Sequence, residues 1–137
     1  MSAEDVAVLR RAYEALNRGD AAEALSALDP GAQWQEHSTL PEAGSYSGRD
    51  AIERFLHGFM ESWDRFHQDL ERVEAAGDKV FLFLRVHAVG KGSGIEVEGR
   101  YAHVWTMREG RGMRVDAYED PEQALALLER EREAVNG

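Results

Sequence analysis

From Val80 to Glu119, apolar and polar positions fall into three long strand-like runs, Val80–Val89, Ile95–Arg108 and Met113–Glu119. Gly90-Lys91-Gly92-Ser93-Gly94 and Glu109-Gly110-Arg111-Gly112 separate them, and glycine-bearing loops between such runs are hairpin signals. Upstream the period changes. Val6, Leu9, Tyr13 and Leu16 recur on one helical face behind a Ser2 cap, and Asp20 with Glu23 starts a short second helix. Asp29-Pro30-Gly31 reads as a turn, Gln33–His37 as a short strand, and the chain then loops through Ser47. Ile52, Phe55, Leu56, Phe59 and Trp63 predict a third helix from about Arg49 to Trp63. Phe66–Ala75 is a charged, weakly alternating edge strand, and a last helix opens at Asp120-Pro121 with Ala124, Leu125 and Leu128 inward. The order α-α-β-α-β-β-β-β-α does not alternate strand with helix, which argues for α+β rather than a doubly wound sheet. A curved antiparallel sheet around helices would make a cone with a pocket inside.

Composition narrows the rest. A chain of 137 residues without linker or repeat reads as one domain over 1–137. No apolar run approaches the roughly 18 residues of a membrane helix, and no signal-peptide pattern opens the chain, so no membrane partner is expected and a cytoplasmic home is the default. Without cysteine there is no disulfide framework and no thiolate nucleophile. A net charge of −10 opposes phosphate backbones, so no nucleic-acid partner is expected. No Gly-rich nucleotide loop, nucleophile elbow or helical His pair occurs, and neither a cofactor nor a metal is expected.

Side chains alternate faces along a strand, so parity groups the candidates. Trp34 shares a face with Glu36, Arg85 with His87, and Tyr101 with His103 and Trp105. On the last strand Val115, Ala117 and Glu119 form one face, with Glu119 near the strand end. His57 and His67 are expected at the surface.

The chain resembles the SnoaL-like branch of the NTF2-like (cystatin-like) superfamily. The resemblance is carried by Tyr13-Glu14-Ala15-Leu16-Asn17-Arg18-Gly19-Asp20, Trp34-Gln35-Glu36 and Tyr46-Ser47-Gly48-Arg49-Asp50-Ala51-Ile52. It continues through Ala102-His103-Val104-Trp105-Thr106, Glu109-Gly110 and Tyr118-Glu119-Asp120, spanning nearly the whole chain. This is the fold of ketosteroid isomerases, polyketide cyclases and limonene epoxide hydrolases. It implies that Glu36 stands where ketosteroid isomerases place their aspartate base, and that Tyr101, His103 and Trp105 turn inward. Arg85-Val86-His87 aligns with the Arg-x-Asp pair of the epoxide hydrolases, but position 87 is His and Ala117 replaces their other aspartate. That departure argues against epoxide hydrolysis.

The expectation is a cofactor-free isomerase or cyclase acting on an apolar carbonyl compound. Glu36 is its base, while His103, His87 or Arg85 stabilises the developing enolate. Trp34, Tyr46, Phe55, Phe59, Trp63, Tyr101, Trp105 and Glu119 are expected to surround the ligand. The alternatives are a non-catalytic module for an apolar ligand or for dimerisation, and a hydrolase or dehydratase using an activated water. A homodimer is expected, paired through an apolar outer sheet face that includes Val86, Val104 and Thr106. Trp34, Phe55, Leu82, Leu84, Val104 and Leu125 are expected to be mostly buried.

Overall fold

The computed structural model describes residues 2–38 and 44–136. The elements are α1 (Ser2–Asn17), α2 (Ala21–Leu25), β1 (Leu28–His37), β2 (Ser45–Ser47), α3 (Arg49–Met60) and β3 (Trp63–Ala76). They continue with β4 (Lys79–Gly90), β5 (Glu96–Arg108), β6 (Arg111–Tyr118) and α4 (Pro121–Asn136). The strands form one curved sheet in the order β2-β1-β6-β5-β4-β3. The pairing is antiparallel throughout except between β1 and β6, which run parallel. Register shifts at Leu70/Arg72 and Thr106/Met107 mark bulges, which bend a strand and raise its twist.

Local chemistry explains most boundaries. Asp20 Oδ1 accepts from the Glu23 amide at 3.1 Å and caps α2. The expected turn at Asp29-Pro30-Gly31 lies inside β1 as a bulge, where the register jumps between Leu28 and Gln33. Asp29 Oδ2 accepts from the Gly31 amide at 2.9 Å and holds it. Gly48, at φ 88, turns the chain into α3. Helix α3 stops at Met60, not Trp63, and Trp63 opens β3. The short strand β2 replaces part of the expected loop, and the remainder of that loop lies outside the described residues, as does the Ser2 side chain.

Two apolar layers sandwich the sheet. On the inner face Leu9, Tyr13, Leu25 and Ile52 of the first three helices pack with Leu28, Val80, Leu82, Leu84, Trp105 and Val115. On the outer face Ala124 and Leu128 of α4 pack on Phe81, Ala102 and Val104. Leu82, Leu84 and Val104 are buried as expected, whereas Leu125 is half-buried at the edge of the outer layer. Two of the three residues expected on an apolar outer face that supports a homodimer are not available there. Val104 lies under α4 and Val86 points inward, so beyond α4 the outer face is a band of charges. No helix of the described residues is long and apolar enough to cross a membrane.

Candidate functional site

The inner face of the sheet and helices α1 and α3 enclose a cavity of about 490 Å³. Register sets its floor. Glu36 pairs with Ala117, Ala117 with His103, and His103 with Leu82, so these side chains form one row across β1, β6, β5 and β4. Strands lie about 4.8 Å apart, so the Glu36 and His103 backbones stand roughly 10 Å from each other. Ala117 stands between them in the row, and the Trp34 indole touches both, its N–H on Glu36 and its ring 5.2 Å from that of His103. The adjoining row, Trp34–Val115–Trp105–Val80, closes the deep side.

The two polar members of the first row are held in opposite states. The Glu36 carboxyl is pushed up by burial, partly offset by the Trp34 hydrogen bond and the nearby His37. Trp34 Nε1 donates to Glu36 Oε1 at 2.8 Å. His103, 8% exposed, is held down to about 3 by burial and is therefore a neutral imidazole at physiological pH. Its ring lies 5.2 Å from that of Trp34 and 5.0 Å from that of Tyr101. The Tyr101 hydroxyl donates to Gln68 Oε1, and burial together with the Glu36 charge raises its pKa. At the back, His103 Nδ1 lies 2.6 Å from the Tyr13 hydroxyl, which accepts from Trp105 Nε1 at 2.8 Å.

Aromatic rings make most of the remaining wall. Phe55 and Phe59 come from α3, and Trp63 and Phe66 from β3. Trp34 and Phe55 are half-buried rather than fully buried because they border this open space. The Trp63 indole N–H is buried with no hydrogen-bond partner. Glu119 is exposed and borders the cavity at its mouth.

Three expected site residues lie elsewhere. Arg85 and His87 occupy the opposite face of the sheet. Val86 pairs with Gly99 and Leu84 with Tyr101 on the cavity side, which turns Arg85 and His87 outward to continue the row of Phe81 and Phe83. There Arg85 pairs with Glu98, and His87 stands 3.8 Å from Asp69 and 3.9 Å from Glu98. These pairs are solvent-exposed and contribute little to stability. Tyr46 sits on β2 opposite Trp34, stacks on Phe55 at 4.3 Å and does not border the cavity. His57 and His67 are exposed, paired with Glu61 and Asp69.

Two cavity residues were not singled out in the sequence. Tyr13 is one polar group on the apolar stripe of α1. Gln68 is 4% exposed and alternates with Phe66 and Leu70 on β3, a lone polar position on an otherwise apolar face. The Asn17 side chain clamps it by bonding both its amide (3.0 Å) and its carbonyl (2.8 Å).

A curved α+β sheet closing on helices around an aromatic cavity defines the class of fold. The SnoaL-like domain model matches residues 9–115, and the chain belongs to that family. Solved structures agree in fold. An NTF2-like protein from Burkholderia thailandensis is 28% identical with a TM-score of 0.75, over 88% of this chain and 96% of its own. An NTF2-like protein of unknown function from Burkholderia pseudomallei is 19% identical with a TM-score of 0.77, over 90% and 96%. A SnoaL-like protein from Jannaschia sp., suggested to be a polyketide cyclase, is 18% identical with a TM-score of 0.76, over 90% of each chain. No curated protein matches the chain.

Proposed function

We propose that this protein catalyses proton transfer on an apolar carbonyl compound, in the manner of an isomerase or cyclase, without a cofactor. The observation that carries the reading is the Glu36–Ala117–His103 row: a carboxyl with a raised pKa and a neutral imidazole flank Ala117 on the floor of an aromatic-walled cavity, with the Trp34 indole against both. A base must be ionised at working pH yet reluctant to stay so, and a raised carboxyl pKa brings it nearer the optimum for general-base work. Glu36 removes a proton from the carbon beside the carbonyl. The electron pair moves into an enolate, His103 hydrogen-bonds the oxygen, and Glu36 returns the proton to another carbon. A neutral donor fixed in an apolar pocket stabilises developing oxyanion charge without reorganisation. Arg85 and His87 have no part in this scheme, because they are on the other side of the sheet. Arg85 therefore does not pair with Glu36, which a free carboxylate base requires.

The test is exchange of solvent deuterium for the α-hydrogens of a bicyclic ketone probe, 2-tetralone, in D2O, followed by NMR. The wild type should accelerate exchange over buffer, and Glu36→Gln should lose that acceleration by about 10²–10⁴-fold, the usual weight of general-base catalysis. A Glu36→Gln protein that exchanges the probe as fast as wild type overturns the reading. A wild type that binds the ketone without exchanging it favours the non-catalytic ligand module instead.

A further inference from the structure

We propose that Tyr13 is a positioning residue that fixes the tautomer of His103, so that His103 presents Nε2–H, and not a bare nitrogen, to the cavity. The proposal deepens the reading of His103 as the donor opposite Glu36 and rests on it.

An indole nitrogen can only donate, so the 2.8 Å contact from Trp105 Nε1 uses one lone pair of the Tyr13 hydroxyl. That hydroxyl carries a single hydrogen. Its other contact, at 2.6 Å, is His103 Nδ1. Were Nδ1 protonated, Tyr13 would receive two hydrogens and its own O–H would have no acceptor, in a residue only 6% exposed. Buried donors are rarely left in that state. With Nδ1 bare, every polar atom is matched: Trp105 donates to Tyr13, and Tyr13 donates to His103. A neutral ring must then carry its hydrogen on Nε2. No described group accepts from that nitrogen, while His103 borders the cavity.

The neighbouring donors are committed elsewhere, Trp34 Nε1 to Glu36 and the Tyr101 hydroxyl to Gln68. Leu82 on β4 and Ala117 on β6 flank His103 in its row, and its ring neighbours are Trp34 on β1 and Tyr101 on β5. Glu36, beyond Ala117, is the one charged side chain in that row. The relay reaches from α1 to β5 across 90 residues of sequence, and the Tyr13 ring packs edge-on against Trp105 at 6.2 Å. Its consequence for the chemistry is a division of labour. His103 is committed as a donor to oxygen, and proton removal from carbon falls to Glu36.

The experiment is NMR of protein labelled with 15N-histidine, using two-bond 1H–15N correlations, with the His103 signals assigned by their loss in His103→Gln. In the wild type, Nε2 should resonate as a protonated, pyrrole-type nitrogen and Nδ1 as an unprotonated, pyridine-type one. Tyr13→Phe removes only the hydroxyl, and the two nitrogen shifts should then move toward each other as the Nδ1–H form gains population. A wild type with the hydrogen on Nδ1 overturns the proposal, and so does a Tyr13→Phe spectrum identical to wild type. Should Tyr13→Phe not fold, the wild-type hydroxyl proton decides: a slowly exchanging Tyr13 O–H signal coupled to an unprotonated His103 Nδ1 is expected, and a hydrogen that instead shows one-bond coupling to Nδ1 overturns the proposal. Glu36→Gln should leave the His103 signals as in wild type. Failure of the Glu36 reading would appear only in the ketone exchange, so the two failures are distinguishable.

Discussion

At the scale of single residues, His103 and Glu36 make opposite contributions to the pH dependence of stability. His103 is held down to about 3 in the folded chain, against 6.5 for the free side chain. Between those values the unfolded chain takes up a proton that the folded chain refuses. Stability therefore falls with falling pH by about 1.4 kcal/mol per unit from this group alone. His103→Gln keeps a polar partner for Tyr13 and removes the titration. We expect its melting temperature to drop less between pH 7 and pH 5 than that of wild type, measured by calorimetry. Glu36 has a folded pKa raised above its ordinary 4.5. Its favourable contribution is complete below 4.5 and is lost as pH rises through the folded value, which leaves the charged form a burden at pH 7. Glu36→Gln should accordingly melt at or above the wild-type temperature at pH 7, with the gap closing toward pH 4.5. A marked fall in its melting temperature would make Glu36 a structural residue.

At the scale of elements, the β5–β6 hairpin aims the relay. A Cβ built on Gly112 would lie 2.4 Å and 2.5 Å from two ring atoms of Trp105. Its amide also donates to the Ala27 carbonyl at 2.7 Å, so the backbone cannot simply back away. Gly112→Ala must push the Trp105 ring, the group that anchors Tyr13. We expect a loss of about 1–3 kcal/mol in urea denaturation, the usual cost of overpacking, and a change in Trp105 fluorescence. Elements also explain what the sequence could and could not tell. The helical faces of α1 and α3 and the long runs of β4 to β6 were legible because each repeats its period over many residues. The orientation of β4 was not. Val80, Leu82 and Leu84 face the cavity side while Phe81 and Phe83 face α4, so the strand is apolar on both faces and alternation gives no inside. Parity puts Arg85 and His87 on one face without saying which, and the resemblance to the Arg-x-Asp pair of the epoxide hydrolases implies the cavity face, whereas the register turns them outward. Tyr46 was misplaced because β2, three residues long, carries too little pattern to read. Resemblance turned Glu36 and His103 inward where alternation left the face open, and both border the cavity.

At the scale of the molecule, the cavity exists because the curved sheet is only partly filled by its helices. The inner layer packs tightly around Leu9, Ile52 and Leu82, then gives way to the aromatic-walled space beyond them. The charged outer band, with Arg85–Glu98 and Arg100–Glu71, lies behind that sheet and is separated from the floor by the strands themselves. The sequence conveyed this container through element order. It could not convey the polar partners of Tyr101 and His103, because Gln68 and Tyr13 reach them only through cross-strand register and helix docking.

The central claim is that Glu36 and His103 grip the reacting end of a flat carbonyl compound from opposite sides. A crystal structure with 2-naphthol, whose oxygen on a planar carbon mimics an enolate, tests it most directly. The naphthol oxygen should lie within about 3.2 Å of His103 Nε2, with the Glu36 carboxylate about 3–3.5 Å from a neighbouring ring carbon. A naphthol seated with its oxygen at the mouth beside Glu119, away from both residues, would contradict the account.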